Sequence, residues 1–298
     1  MADLFYLVLE DRDLLSLGGD DRATFLQGLI SNDITKVAAD RAVYASLLTA
    51  QGRFLHDFFI AESNGAYVID AEAARLDDLR RRLMLYRLRS KVTITPLEGQ
   101  VVVALFGDGA LAALGLGDTP GRVTAFAGGL ACVDPRLAGL GARAILARER
   151  LEAIPAAGFT ASDRIAYDRL RLSLGVPDGS RDLPVEKALL LENGFDELNG
   201  VDWKKGCYVG QEVTARMKYR ALVRKRLLPV RIEGELPAAG TPVVLDGEEA
   251  GEMRSAADGW GLALLRLDVV EKAEREGRPL SVGTASVTPL KPSWWAAA

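Results

Sequence analysis

The chain has 298 residues, about twice the ~150 of a typical domain, so two or three domains are expected. Hydrophobic residues make up 49% and charged residues 26%, which is ordinary globular usage and excludes wholesale disorder. Lys and Arg number 37 against 41 Asp and Glu, a net charge of −4. A globally basic nucleic-acid binder is thereby excluded, while a local basic patch is not.

No apolar run approaches the ~18 residues of a membrane span, so no membrane partner is expected. Residues Met1 to Glu10 carry an early acid and no basic region, and do not read as a signal peptide. Cys132 and Cys207 are the two cysteines, and neither sits in a C-x-x-C pair. A disulfide scaffold and a cysteine-built metal site are excluded on that count, and no metal site is expected. His56 is the single histidine, too little material for histidine-centred triads. These features describe a soluble chain of a reducing compartment, expected in the cytoplasm.

In chain order, residues 3–18 read as two short strands around Glu10-Asp-Arg-Asp13. Gly18-Gly-Asp-Asp21 opens a helix with Asp20 or Asp21 as N-cap and Phe25, Leu26 and Leu29 on one face. Residues 42–48 and 54–60 read as strands turning at Gln51-Gly52, and Asn64-Gly65 marks a hairpin into Ala66–Asp70. Residues 72–90 follow helical period, with Leu76, Leu79, Leu83 and Tyr86 as the inner face. Strands return at 92–95 and 101–106. The Gly- and Ala-rich stretch 107–141 gives no clear pattern, apart from Cys132, whose apolar neighbours make it a core strand residue. Residues 142–148 read as a strand and 160–174 as a helix. The mixture lacks a regular βαβα beat, so the fold class is α+β.

From about residue 226 short strands follow one another, at 227–232, 242–245, 249–254, 261–267 and 285–289. Asp246-Gly247 and Asp258-Gly259 turns punctuate them, the spacing of a small antiparallel barrel or sandwich. The boundary is expected near Leu222–Leu228. Glu271–Gly277 reads as a charged surface segment, and the tail from Trp294 as fraying.

One stretch concentrates chemistry: Lys204-Lys-Gly-Cys-Tyr-Val-Gly-Gln-Glu212. Its glycines imply tight turns or close approach to a ligand. A helix opening after Gly210, together with Lys204 and Lys205, favours the thiolate of Cys207. Residues 204–226 hold eight Lys and Arg against Glu212 alone, and Arg80-Arg-Arg82 with Arg87, Arg89 and Lys91 forms a second basic cluster. Each cluster alone reads as a solvated face. Together, in an acidic chain, they suit a polyanion such as a polyglutamate tail, a phosphate or RNA.

Lys205-Gly-Cys-Tyr-Val-Gly-Gln-Glu212 resembles the K-G-C-[FY]-x-G-Q-E signature of the YgfZ/Caf17 family, folate-binding proteins of iron–sulfur cluster maintenance. Phe25-Leu-Gln-Gly28 with Ser31-Asn-Asp33, Gln51-Gly-Arg53, and Glu192 through Val201 resemble further elements of that family. The resemblance implies kinship with the glycine-cleavage T-protein, an aminomethyltransferase. It thus implies two interwoven α+β subdomains in residues 1–224, roughly 1–95 and 96–224, around a folate channel, and a β-barrel in 225–298. It also implies Cys207 and Lys205 as the reactive pair, with Gly206, Tyr208, Gly210, Gln211 and Glu212 shaping the loop. Tetrahydrofolate or a derivative is expected at Tyr167, Glu192, Asp57 and Arg216.

Several positions depart from the family. Tyr167 has a second reading, as a core aromatic of its helix. Ser173 stands where relatives often carry a pterin-binding glutamate, so Glu192 is the alternative acid. Arg12 replaces a tryptophan, and His56 replaces the first of two acids paired at 56–57. Three functions follow from the resemblance and the charge. The leading one is a tetrahydrofolate-binding accessory protein for assembly or repair of iron–sulfur clusters in client proteins. Next is a folate-dependent aminomethyltransferase or demethylase, which the lost acid disfavours. The third is an RNA binder, perhaps of tRNA, with too few aromatics near 204–226 for a stacking platform.

Overall fold

A computed structural model describes residues 3–220 and 223–295. Contacts gather the chain into two units, one of Met1–Ala50, Leu55–Asp163 and Asn199–Val209, the other of Gln51–Phe54, Arg164–Leu198 and Gly210–Ala298. No described helix is long and apolar enough to cross a membrane.

The first unit carries two sheets. One has the order Thr160–Ala161, Phe5–Val8, Gln100–Phe106, Ala142–Ala147, Gly129–Val133, Val123–Phe126. It is antiparallel except where Phe5 pairs parallel with Thr160. The other has the order Val43–Leu48, Phe54–Ser63, Ala66–Glu72, Arg12–Gly18, Thr93–Pro96. The chain leaves the first sheet at Val8 and enters the second at Arg12, so the two are threaded alternately. Strand Val43–Leu48 is buried throughout and Phe54–Ser63 over its first eight residues. At the first hairpin Asn64 and Gly65 both take positive φ, 50° and 75°, the turn that matches strand twist.

Between the two sheets lies a buried ionic cluster with no counterpart in the sequence reading. Arg143 bonds Asp70 Oδ2 through Nη2 (2.5 Å) and Nε (3.0 Å), and Arg12 Nε reaches Asp70 Oδ1 at 2.7 Å. Arg136 grips Asp134 through Nε and Nη2 at 3.0 and 2.9 Å. The guanidinium carbons of Arg143, Arg136 and Arg12 lie 3.9, 4.9 and 5.4 Å from the centroid of Phe59. Such a cluster contributes little net stability over an apolar core, but removing one member strands a buried charge at a cost of about 3–5 kcal/mol. Arg12 thus stacks on Phe59 and bonds Asp70 within the second sheet, and Arg143 brings the first sheet to both.

Two helices of this unit pack through apolar stripes. Helix α1 (Arg22–Gln27) buries Phe25 and Leu26. Asp21 precedes it without a side-chain cap; its Oδ2 instead accepts from the N–H of Lys91 at 2.6 Å. Helix α2 (Leu76–Arg87) buries Leu76, Leu79 and Leu83, but Tyr86, expected on that face, is 44% exposed. The stripe ends one turn early because the chain leaves helical geometry at Leu88. The stretch 107–141 holds a short helix, Ala110–Ala113, and a hairpin whose turn puts Ala127 at φ 50°. A turn without Asn-Gly or Asp-Gly leaves no hairpin mark in the sequence.

The second unit is built on a closed six-stranded barrel in the order Lys225–Glu233, Trp260–Arg266, Glu248–Ala257, Pro242–Leu245, Leu280–Val282, Ala285–Pro289. Closure leaves no sheet edge among its strands. The expected charged segment at 271–277 belongs to an amphipathic helix, Leu267–Glu276, whose Val269, Val270 and Ala273 join the barrel core. The tail is also anchored as far as Trp295. Trp294 Nε1 donates to the carbonyl of Leu174 at 2.6 Å, and Trp295 lies under Arg226 at 5.0 Å. Helix Arg164–Ser173 is fixed by Arg171, which is fully buried and bonds Asp168, Asp182 and the hydroxyl of Ser255. Of the expected boundary near 222–228, Leu222 lies outside the described residues, and the barrel's first strand begins at Lys225.

Candidate functional site

Segment 199–209 is a loop without regular structure, held against residues 25–34 by bonds that mostly reach backbone. Ser31 Oγ donates to the carbonyl of Gly200 at 2.6 Å, and Asn32 Nδ2 to those of Tyr44 and Asn199, both at 2.8 Å. The N–H of Asp202 reaches the carbonyl of Ser31 at 3.0 Å, and that of Val209 the carbonyl of Gly28 at 3.1 Å. Gln27 donates to Asp33 Oδ1 and to the carbonyl of Lys205, while its own Oε1 accepts from the N–H of Ile34. Two separated sequence elements, Phe25–Asp33 and the cysteine motif, are therefore one piece of structure. A cavity of about 190 Å³ opens beside them, lined in part by Asn32, Lys36, Arg41, Tyr44 and Asn199.

Lys205 anchors the loop. Its side chain is buried, and Nζ donates to the carbonyls of Gln27 (2.7 Å) and Ile30 (2.5 Å). The ammonium also sits 5.0 Å from the ring centroid of Tyr208, itself 9% exposed. Burial pulls the lysine pKa down to about 8, with Asp33 and Asp202 opposing. Gly206 then takes φ +90° with open space where a Cβ would stand. That left-handed residue reverses the chain between inward Lys205 and outward Cys207. Cys207 is exposed, whereas Cys132 is buried and its thiol pushed up to about 12 by desolvation.

The expected pairing of Cys207 with two ammonium groups takes a different form here. Lys205 spends its charge on carbonyls, and Lys204 is exposed, with its N–H bonded to Asp202. The basic run is also partly neutralised. Lys218 pairs with Asp196 at 2.5 Å and Arg226 with Glu197 at 2.7 Å.

Asp57 and His56 point to opposite faces of strand Phe54–Ser63. Asp57 is buried and accepts from the hydroxyl of Tyr44 at 2.8 Å. His56 Nε2 lies 2.9 Å from Asp78 Oδ2 on α2, and burial together with Arg75 lowers its pKa to about 4. A neutral, hydrogen-bonded imidazole in this position is part of the strand-to-helix packing.

The other expected site residues belong to the second unit. Tyr167 is 4% exposed on helix Arg164–Ser173. Glu192 is half-buried in the 3-10 turn Leu190–Asn193; burial raises its carboxyl, and no described residue hydrogen-bonds to it. Ser173 turns its hydroxyl back to the carbonyl of Leu170 at 2.8 Å. Gly210 caps helix Gln211–Tyr219 at φ 81°, with Gln211 and Glu212 in its first turn and Arg216 exposed. Sequence reasoning missed Asp70, Asp134, Arg136 and Arg143. The available signal was a lone charge inside an apolar strand, as in Tyr-Val-Ile-Asp70 and Ala-Arg143-Ala.

A mixed α+β body with a closed six-stranded barrel, bearing an exposed cysteine on a lysine-anchored loop, defines a protein of T-protein fold with a surface thiol. The crystal structure of glycine cleavage system aminomethyltransferase T from Bartonella henselae matches with a TM-score of 0.76 at 15% identity, over 97% of this chain and 85% of that one. At that identity the likeness concerns the fold. The family description "CAF17, C-terminal beta-barrel domain" matches residues 224–297. The mitochondrial iron–sulfur cluster assembly factor IBA57 of Mus musculus is 32% identical over 313 residues, covering 96% of this chain and 84% of the relative. The IBA57 of Homo sapiens is 33% identical over 308 residues with the same coverage. The chain belongs to the IBA57/CAF17 family of iron–sulfur cluster assembly factors.

These relatives are named as mitochondrial proteins, which overturns the cytoplasmic placement expected from the sequence. Two unpaired thiols, and no spanning helix among the described residues, fit the mitochondrial matrix as well as the cytoplasm, so they could not discriminate.

Proposed function

We propose that this chain serves the assembly or repair of iron–sulfur clusters in other proteins, with Cys207 as its reactive thiolate and tetrahydrofolate or a derivative as its small-molecule ligand. The observation that carries the reading is the exposed Cys207 next to a left-handed glycine and a buried lysine, in a chain of this family. A thiolate is a soft iron ligand and a nucleophile, and iron or a cluster is then cargo. Lys205 acts on it as a positioning residue, by fixing the loop through Gln27 and Ile30. Gly206, Tyr208, Gly210, Gln211 and Glu212 complete the shape.

Support for folate comes from Glu192, a half-buried carboxyl with no hydrogen-bond partner among the described residues, suited to accept from pterin N–H groups. Tyr167 and Arg216, carried by the same unit as Glu192, are the further folate candidates, as an aromatic face and as a cation for the glutamate tail. Asp57, buried in the first unit against the hydroxyl of Tyr44, is not one of them. Bound folate supplies one-carbon carriage; these residues bind and orient it. For the aminomethyltransferase reading the fold is the main support, and neutral His56 in place of an acid weakens it. Tetrahydrofolate titration is to be run on wild type, Tyr167→Ala, Glu192→Gln and Cys207→Ala. Cluster-dependent enzyme activity is to be measured in a deletion strain carrying each variant. Expected are binding weakened at least tenfold by the first two variants and intact in Cys207→Ala, which alone loses client activity with folate still bound. Full client activity from Cys207→Ala would remove the thiolate role.

A further inference from the structure

Eight large apolar side chains are exposed among the described residues, and four of them fall within five positions at the end of α2: Met84 (39%), Leu85 (73%), Tyr86 (44%) and Leu88 (89%). Met84, Leu85 and Tyr86 wrap around the last turn of α2, and Leu88 follows just beyond its end. Scattered apolar residues on a surface need no explanation, but a contiguous patch does.

Charge surrounds the patch. Residues 79–97 contain no acid. Arg81 and Arg82 pair with Asp78, but the side chains of Arg80, Arg87, Arg89 and Lys91 have no ion-pair or hydrogen-bond partner among the described residues. Of the adjacent acids, Asp21 has Oδ2 engaged by the N–H of Lys91. A depression lined by Asp21, Leu88, Arg89 and Ser90 adjoins the patch.

The backbone holds this arrangement open. Leu88 takes φ 44° and ψ −110°, left-handed space that a leucine seldom enters. The N–H of Ser90 bonds the carbonyl of Arg87 at 2.8 Å, and Lys91 is clamped to Asp21 through its N–H and carbonyl. Gly19 packs so close that a Cβ there would stand 2.0 Å from the carbonyl oxygen of Lys91. The strained conformer is therefore fixed from both sides, and it turns the leucine into solvent.

We propose that the α2 end, Met84 to Lys91, docks on an anionic lipid surface, with Leu85 and Leu88 inserted and Arg80, Arg87, Arg89 and Lys91 at the phosphate level. Charge selects lipid: the side chains of Arg80, Arg87, Arg89 and Lys91, without an ion-pair or hydrogen-bond partner among the described residues, flank the exposed leucines in a stretch, 79–97, that contains no acid. A bilayer needs no shape complementarity, and cations beside a short apolar insertion are its usual complement. The expectation of no membrane partner rested on the lack of a spanning run, which a helix end lying on a surface does not require. The inference is independent of folate and of Cys207.

The test is co-sedimentation of the full chain with phosphatidylcholine vesicles, pure or containing one-third phosphatidylglycerol. Binding is expected to the anionic vesicles only and to fall with salt. Arg87→Gln with Arg89→Gln should weaken it roughly 25-fold, about fivefold per cation. Leu85→Ser should weaken it about tenfold. Leu88→Gly separates docking from folding: it relieves the left-handed strain, so the melting temperature should rise while vesicle binding drops about tenfold. Equal binding to neutral vesicles, no binding to either, or binding untouched by Leu88→Gly would each overturn the proposal. So would capture of an acidic amphipathic peptide by the wild type in the absence of vesicle binding, which would assign the patch to a protein.

Discussion

Two parts of the first unit each hold a thiol and a buried base, and they use them in opposite ways. On the sheet side, Cys132 is sealed in strand Gly129–Val133 and His56 is held neutral against Asp78. In the loop 199–209, Lys205 is buried against carbonyls and Cys207 stands in solvent. In the strand, alternation and neighbouring strands leave each side chain a face but no exit. In the loop, one left-handed glycine lets adjacent residues point to opposite sides of the surface. The exposure of Cys207 is thus a matter of backbone geometry at Gly206.

The largest expected consequence is in thiol labelling. With its thiol pushed up to about 12, Cys132 presents roughly one thiolate in ten thousand at pH 8 even before access is considered. Alkylation of the folded protein followed by peptide mapping should modify Cys207 and leave Cys132 at least about a thousandfold slower. Denaturant should expose Cys132 in step with global unfolding. Equal labelling of both thiols in the native state would erase the contrast between strand and loop.

The two buried bases sharpen it through pH. His56 titrates at about 4 when folded and at 6.5 in an open chain. The unfolded state therefore binds the extra proton between those values, and stability falls as pH drops from 6.5 to 4, by about 3 kcal/mol. Lys205 titrates at about 8 folded and 10.5 unfolded. By the same linkage, stability rises between pH 8 and 10.5, again by up to about 3 kcal/mol. Denaturant melts across pH should show both slopes. His56→Gln should flatten the acid limb alone and Lys205→Met the alkaline limb alone; a loss of both slopes in either variant would mean that the regions do not titrate independently.

What could be read from the sequence was local. The strands at 42–48, 54–60 and 142–148, the Asn64-Gly65 and Asp246-Gly247 turns, and the motif around Cys207 all carry their signal within a few residues. What escaped is long-range or masked. Lys205 bonds carbonyls of Gln27 and Ile30, and a carbonyl leaves no residue-type signature. Asp70 meets Arg143 across 73 positions. Helix Leu267–Glu276 was obscured because its outer charges outnumber the Val269, Val270 and Ala273 that seat it. Tyr86 was assigned to the inner face because periodicity alone does not reveal where a helix stops, and the end at Leu88 has neither Gly nor Pro to mark it.

The smallest effect isolates the turn itself. At Gly206 an added Cβ meets nothing within 4 Å, so Gly206→Ala tests the φ of +90° and no packing. Left-handed backbone costs an alanine roughly 1–2 kcal/mol, and an asparagine less. Two responses are open to the variant: the loop flips to relieve the strain, or it keeps its shape and the native state loses that energy. Flipping would pull the Lys205 ammonium from two carbonyls, each such charge-assisted bond being worth about 1.5–3 kcal/mol. Holding is therefore the cheaper outcome. Gly206→Ala should melt earlier by an amount matching about 1–2 kcal/mol, Gly206→Asn by less, and both should label at Cys207 at the wild-type rate. If labelling falls in Gly206→Ala while stability is unchanged, the loop has flipped, and the anchor at Lys205 is weaker than its two bonds imply.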